Sequence, residues 1–236
     1  MAPPVPRFRP SPQQLLAVLA GVFALVAYPF AVEWAKAQFG IRATAGVLFL
    51  LGLSSLATSR GYLPGPRVLQ IAVRLVFLAL LAIAMIADTR LPLLFIPSLV
   101  YLILCGAFLA SLWDGGSAIG RAARLMHPYV PDFVDSYCRK VTVVWALFFA
   151  ANAVATAALA LFESSLWAAW TGGFAYAAMG VLGAVEFLVR KSWFRYYGNG
   201  PVDRLLAALL PPENTWQGRR SKEYVTRMRR ELGIEP

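Results

Sequence analysis

A chain of 236 residues that is 59% hydrophobic and only 14% charged does not suit a water-facing domain, because soluble domains carry about a quarter charged residues. The mean hydropathy of +0.61 points instead to several membrane spans. The net charge of +10 does not indicate nucleic acid: the basic residues sit between and after apolar runs, where anionic headgroups lie.

Residues 1–12 are Pro-rich and basic and read as a disordered lead. The first apolar run, 14–32, is longer than a signal-peptide core and reads as a retained span. Ala35-Lys36-Ala37, which has the form of a cleavage site, is its only rival feature. A loop is expected over 33–42 and a second span over 43–58. A Pro/Gly turn at 61–67 precedes a third span over 68–87, which contains Arg74. The fourth, 91–112, carries Pro97, which predicts a kink. A long connection follows, then spans over 142–162 and 166–189. The expected fold is therefore an all-α, polytopic membrane helix bundle of six spans over 13–189. A basic amphipathic tail occupies 190–236.

The cations orient it. With six spans and an inner N-terminus, only Lys36, Arg42 and Arg90 fall in outer connections. Every other Lys or Arg except the intramembrane Arg74 falls in an inner segment, so both termini are expected inside. Amphipathic helices are expected at the interface over 117–126 and 202–210. Arg121 and Arg124 on the first, with Trp193, Arg195, Tyr196 and Tyr197 after the last span, suit contact with lipid headgroups. Arg219–Arg230 reads as a basic helix attracted to anionic lipid.

The polar residues concentrate at the entrance to the fifth span. His127-Pro128 ends one helix, and Pro131-Asp132 begins another that runs into the span. Asp132, Asp135 and Arg139 share a side of that helix. With His127 they form a candidate site for general acid–base work; the plainer reading is capping and charge pairing at a helix start. No metal site is expected from one histidine and two distant cysteines, and no cofactor motif is visible.

Farther along, Trp145, Phe148, Phe149, Asn152 and Thr156 share one helical face, so Asn152 is expected to hydrogen-bond a neighbouring helix. Arg74 and Glu186 are expected in the inner leaflet, either paired or snorkelling. Small-xxx-small pairs at Ala146/Ala150, Ala151/Ala155, Gly173/Ala177 and Gly180/Ala184 suit close packing of the last two spans or a homo-oligomer.

The stretch HPYVPDFVDSYCRKVTVVWALFF, followed by WFRYYGNGPVDRLL, resembles a family of bacterial inner-membrane proteins encoded in aryl polyene (xanthomonadin-type) pigment clusters. The likeness spans most of the chain. The order of spans, with Trp145, Phe148, Phe149, Asn152 and Trp167, is similar to the intracellular septation protein A family, from which the six-span layout and long basic tail depart. Neither resemblance supplies a catalytic residue. Together they imply an accessory protein of cell-envelope or aryl polyene lipid assembly in the inner (cytoplasmic) membrane. Its implied partners are membrane lipid and envelope or pigment-synthesis proteins. Two alternatives stand beside this expectation. One is a small-molecule or lipid transporter or flippase using Arg74, Asn152 and Glu186. The other is a membrane enzyme using His127, Asp132 and Asp135 on a lipid- or carrier-linked substrate.

Overall fold

The computed structural model describes residues 12–58, 67–113, 116–126, 132–162, 165–194, 201–211 and 214–231. All regular structure among them is helical. It comprises α1 (Pro12–Thr58), α2 (Arg67–Ala87), α3 (Leu91–Leu94), α4 (Ile96–Ala110), α5 (Ala118–Met126), a 3-10 turn (Asp132–Val134), α6 (Asp135–Leu161), α7 (Leu166–Ala169), a π-helical turn (Trp170–Phe174), α8 (Ala175–Phe194), α9 (Pro201–Leu209) and α10 (Trp216–Glu231). Four stretches among the described residues are long and apolar enough to cross a membrane: Ala27–Ser54, Leu91–Ala110, Asp135–Leu161 and Leu166–Phe194. They mark a membrane protein. Ile71–Ala87 is a shorter apolar helix.

The expected loop over 33–42 is absent as a loop. α1 is helical through it except at Gly40, whose backbone turns to φ 80°, ψ 170°. The charges that suggested a loop sit on helix instead, and Lys36 pairs with Glu33 one turn back at 2.6 Å. The fourth apolar segment is interrupted at Phe95, where α3 ends and α4 begins, two residues before Pro97. Proline removes an N–H and crowds the preceding turn, so a break on its N-terminal side is the expected response.

The chain forms two compact units. The first takes in 10–118 and 142–176. Its core gathers Val32 and Ala45, from either side of Gly40, with Leu81, Ala84, Leu93 and Ile96. A second cluster joins Leu94, Ala160 and Trp167. Alanines at these positions let helix backbones approach closely, which is how helices associate where hydrophobic burial offers no drive. On α6 the buried residues Ala146, Phe149, Asn152, Ala153, Thr156 and Ala160 recur every three or four positions and form one face. Tyr101 of α4 stacks on Phe149 with centroids 6.5 Å apart, and Phe108 meets the same ring edge-on at 5.3 Å.

The small pairs of the last long helix are not covered by the described residues. Gly173, Ala177, Gly180 and Ala184 are all exposed, and a methyl group added at Gly173 or Gly180 would meet no atom within 4 Å. The small residue that does make a close approach there is Gly172. A Cβ on it would lie 2.6 Å from Phe30 Cζ and 3.2 Å from Pro29 Cγ.

The second unit takes in 119–141 and 177–236. Its centre is aromatic. Phe133 lies beside Phe194 and Tyr224, at 6.1 and 6.4 Å between centroids, and Tyr137 meets Phe194 edge-on at 5.3 Å.

Candidate functional site

The polar entrance to α6 divides into pairs. Arg124, near the end of α5, aims its Nη2 at both carboxylate oxygens of Asp135, 2.7 and 2.8 Å away. Asp135 lies in the first turn of α6, where a carboxylate also meets the positive end of the helix dipole. Both side chains are about two-fifths exposed, so the pair contributes about 0.2–1 kcal/mol. Its chief effect is geometric: it clasps α5 to the start of α6.

This arrangement gives Arg124 a partner other than the headgroup expected for it. It also engages the carboxylate that the candidate acid–base cluster needs. Arg139 is exposed one turn along α6 from Asp135, and Arg121 is exposed on α5. Asp132 falls in the 3-10 turn, and the placement of its side chain is not described. His127, Arg195, Tyr196 and Tyr197 lie outside the described residues. Trp193 is 54% exposed at the end of α8.

Glu186 is engaged within its own unit. Its Oε1 is 3.5 Å from Arg190 Nε one turn on, and the Tyr137 hydroxyl stands 3.4 Å from both its carboxylate and its carbonyl oxygen. Arg190 and Lys191 also lie over the Phe187 ring at 6.0 and 5.7 Å. The Glu186 carboxylate is therefore part of a local helix-end pairing. Arg74 is half-buried on α2 and makes no ion pair with a described residue of its own unit.

In the first unit, the polar face of α6 has the burial expected of it: Asn152 is 5% exposed and Thr156 is fully buried. The bonding differs from expectation. Asn152 Nδ2 donates to the Phe148 carbonyl of its own helix at 2.9 Å, and Thr156 Oγ1 donates to the Asn152 carbonyl. The amide thus bonds along its own helix, and no interhelical bond from its side chain is present among the described residues. Asn152 Oδ1 is thereby left buried without a donor among the described residues. Ser98 Oγ on α4 is likewise buried without a partner, and the Trp170 Nε1–H in the π-helical turn is buried without an acceptor, among the described residues. Ser98 is also among the residues lining an apolar groove of about 330 Å³ between α2, α4 and α6, with Leu80, Leu102, Ala153 and Ala157.

Two donors escaped sequence reasoning. The Tyr28 hydroxyl donates to the Leu93 carbonyl at 3.1 Å, and the Trp167 indole N–H donates to the Leu94 carbonyl at 3.1 Å. Pro97 was the signal for the first, since it lies four residues after Leu93 and cannot supply the helical N–H. The pairings themselves carry no local pattern.

Among the described residues, no three His, Cys, Asp or Glu side chains gather as a metal site. The sequence matches no protein-family model, and no curated protein or solved structure is significantly similar to it.

Proposed function

We propose that this chain is a multi-pass protein of the bacterial inner membrane and a non-catalytic accessory in cell-envelope or aryl polyene lipid assembly. Its polar, basic unit meets lipid or protein partners at the cytosolic surface. The observation that carries this reading is the Arg124–Asp135 pair. The acidic residue best placed for chemistry holds two helices together, which is a scaffold's use of it.

Six crossings with both termini inside complete the reading. They are the two limbs of α1, then α2, α3–α4, α6 and α7–α8. Support comes from Gly40, since a turn there lets Val32 and Ala45 share one core cluster. The Lys and Arg distribution supports the orientation.

The test is deletion of the gene, followed by extraction of polyene lipids and a dye-permeability assay of the envelope. The reading requires a deficit in one of them, restored by the parent protein and by Asp135→Asn. Unchanged lipids and permeability would sink it. A deficit that Asp135→Asn fails to restore at normal abundance would move the role to catalysis.

A second reading, a transporter or flippase, is favoured by one observation: buried, unserved oxygens at Asn152 and Ser98 near an apolar groove. Buried polar groups inside membrane helices mark pathways when packing does not use them. Lipid translocation in vesicles carrying the purified protein, abolished by Asn152→Leu, is its required result. Translocation no faster than in empty vesicles ends it.

A further inference from the structure

The two tail helices leave unusual surfaces uncovered. On α9, Leu205 and Leu209 are 61% and 66% exposed and stand one turn apart on the same face. Arg204 is exposed beside them. An exposed leucine pair next to a cation is the pattern of a helix that lies at a lipid interface.

α10 has two faces. One is docked. The Arg220 guanidinium lies 4.7 Å from the Phe133 ring centroid and 5.0 Å from that of Trp216. Tyr224 meets Phe133 edge-on, and Ser221 is buried. The other face is a stripe: Arg219, Lys222, Glu223, Thr226, Arg227 and Arg230 border a shallow basin of about 430 Å³. Their spacing of three and four residues places them along one side of the helix, and all six are exposed. Because the aromatic contacts to Arg220 and Tyr224 fix the roll of the helix, the cations are held outward before any ligand arrives, which lowers the cost of ordering them.

We propose that α9 and α10 together form a docking element for anionic phospholipid headgroups. Leu205 and Leu209 enter the acyl boundary while Arg219 with Lys222, and Arg227 with Arg230, bind phosphate oxygens. Guanidinium and ammonium groups suit phosphate chemically. Two features select lipid over a soluble polyanion. The leucine pair on the same tail has no use against nucleic acid. Glu223, set between the two cation pairs, opposes a continuous anionic backbone and tolerates discrete phosphates on either side. The inference deepens the proposed function and rests on its placement of the tail at a membrane surface.

Hydrogen exchange of residues 216–231, followed in full-length protein, tests it. Nanodiscs of phosphatidylcholine alone are compared with discs containing phosphatidylglycerol. The expected result is exchange about tenfold slower with the anionic lipid, lost as salt shortens the Debye length from about 10 Å to about 3 Å. The same protection is lost when Arg219, Lys222, Arg227 and Arg230 are all changed to Gln, and kept when the three arginines are changed to Lys. Unchanged exchange over 135–194 in the Gln variant shows that it is folded. Equal exchange in the two disc types overturns the proposal. So does equal protection on neutral discs by inorganic phosphate or single-stranded RNA. The deletion phenotype is independent of this readout: a silent deletion with lipid-dependent protection removes only the assembly role, and the reverse removes only the docking surface.

Discussion

The Tyr28 hydroxyl donates to the Leu93 carbonyl oxygen across 65 residues of chain, at 3.1 Å. The helical donor to that carbonyl would be the amide of residue 97, which is proline. That carbonyl takes only a backbone N–H from the turn that ends α3, and Tyr28 of α1 supplies a second donor to its other lone pair. Tyr28→Phe is expected to cost about 0.5–1.5 kcal/mol, the net worth of one hydrogen bond to an acceptor that keeps its backbone donor. Pro97→Ala restores the amide, so the tyrosine substitution should cost much less in that background. A double-mutant cycle by reversible unfolding in micelles measures this coupling. Equal costs in both backgrounds would show that Tyr28 acts otherwise.

Gly172 sits in the π-helical turn against Pro29 and Phe30. The Phe30 ring is half exposed and has room to swing outward, whereas the Pro29 ring is fully buried and does not. Gly172→Ala should therefore lower stability by less than about 1.5 kcal/mol, while Gly172→Leu, which must displace Pro29, should cost about 1–3 kcal/mol or more. Thermal unfolding in detergent ranks the two. A Leu variant as stable as the Ala variant would mean that the helices slide apart freely here.

What was legible in the sequence was local and periodic. The face of α6 carrying Phe149, Asn152 and Thr156 is readable because buried positions on one helix recur every three or four residues. The break near Pro97 is readable from covalent chemistry alone. What was not legible depended on distance or direction. Nothing near Tyr28 announces Leu93. Arg124 looks like a headgroup ligand until Asp135, eleven residues on, is brought against it. Glu33, Lys36 and Arg42 suggest a loop over the whole of 33–42, whereas only Gly40 leaves the helix, because charge density alone does not distinguish a loop from a helix with paired charges. The small residues of α8 have the right spacing for packing and face outward, since spacing names a face without naming its neighbour.

Gly40 offers a test of strain without crowding. Its φ of 80° and ψ of 170° lie in a region that essentially only glycine occupies, yet an added Cβ there would meet nothing within 4 Å. Gly40→Ala should lose about 1–3 kcal/mol, all of it from the backbone. Gly40→Val should lose no less, despite the open space. Both are measurable by unfolding in micelles. A neutral Gly40→Ala would mean that the two limbs of α1 join without this turn.

The Arg124–Asp135 clasp predicts a local effect larger than its global one. Both partners are partly exposed, so Asp135→Asn should change overall stability by less than about 1 kcal/mol. Hydrogen exchange across 118–126 should nevertheless quicken severalfold, because α5 loses its tie to α6. Exchange there that is unchanged while the rest of the chain is also unchanged would show that α5 is held by other contacts.

Asn152 separates packing from function. Its amide nitrogen must face the Phe148 carbonyl, because that oxygen only accepts, and so Oδ1 is turned to a place without a donor among the described residues. Asn152→Leu removes one intrahelical bond together with one unserved acceptor at similar volume. The two effects oppose, and stability should stay within about 1 kcal/mol of the parent. Asn152→Asp places a charge on the same 5%-exposed site and should cost far more. Unfolding of both variants in micelles gives the comparison. If Asn152→Leu is as damaging as Asn152→Asp, the amide oxygen has a partner that the resting fold does not display. If it is silent for stability yet abolishes lipid translocation, the residue serves a pathway and the transporter reading displaces the accessory one.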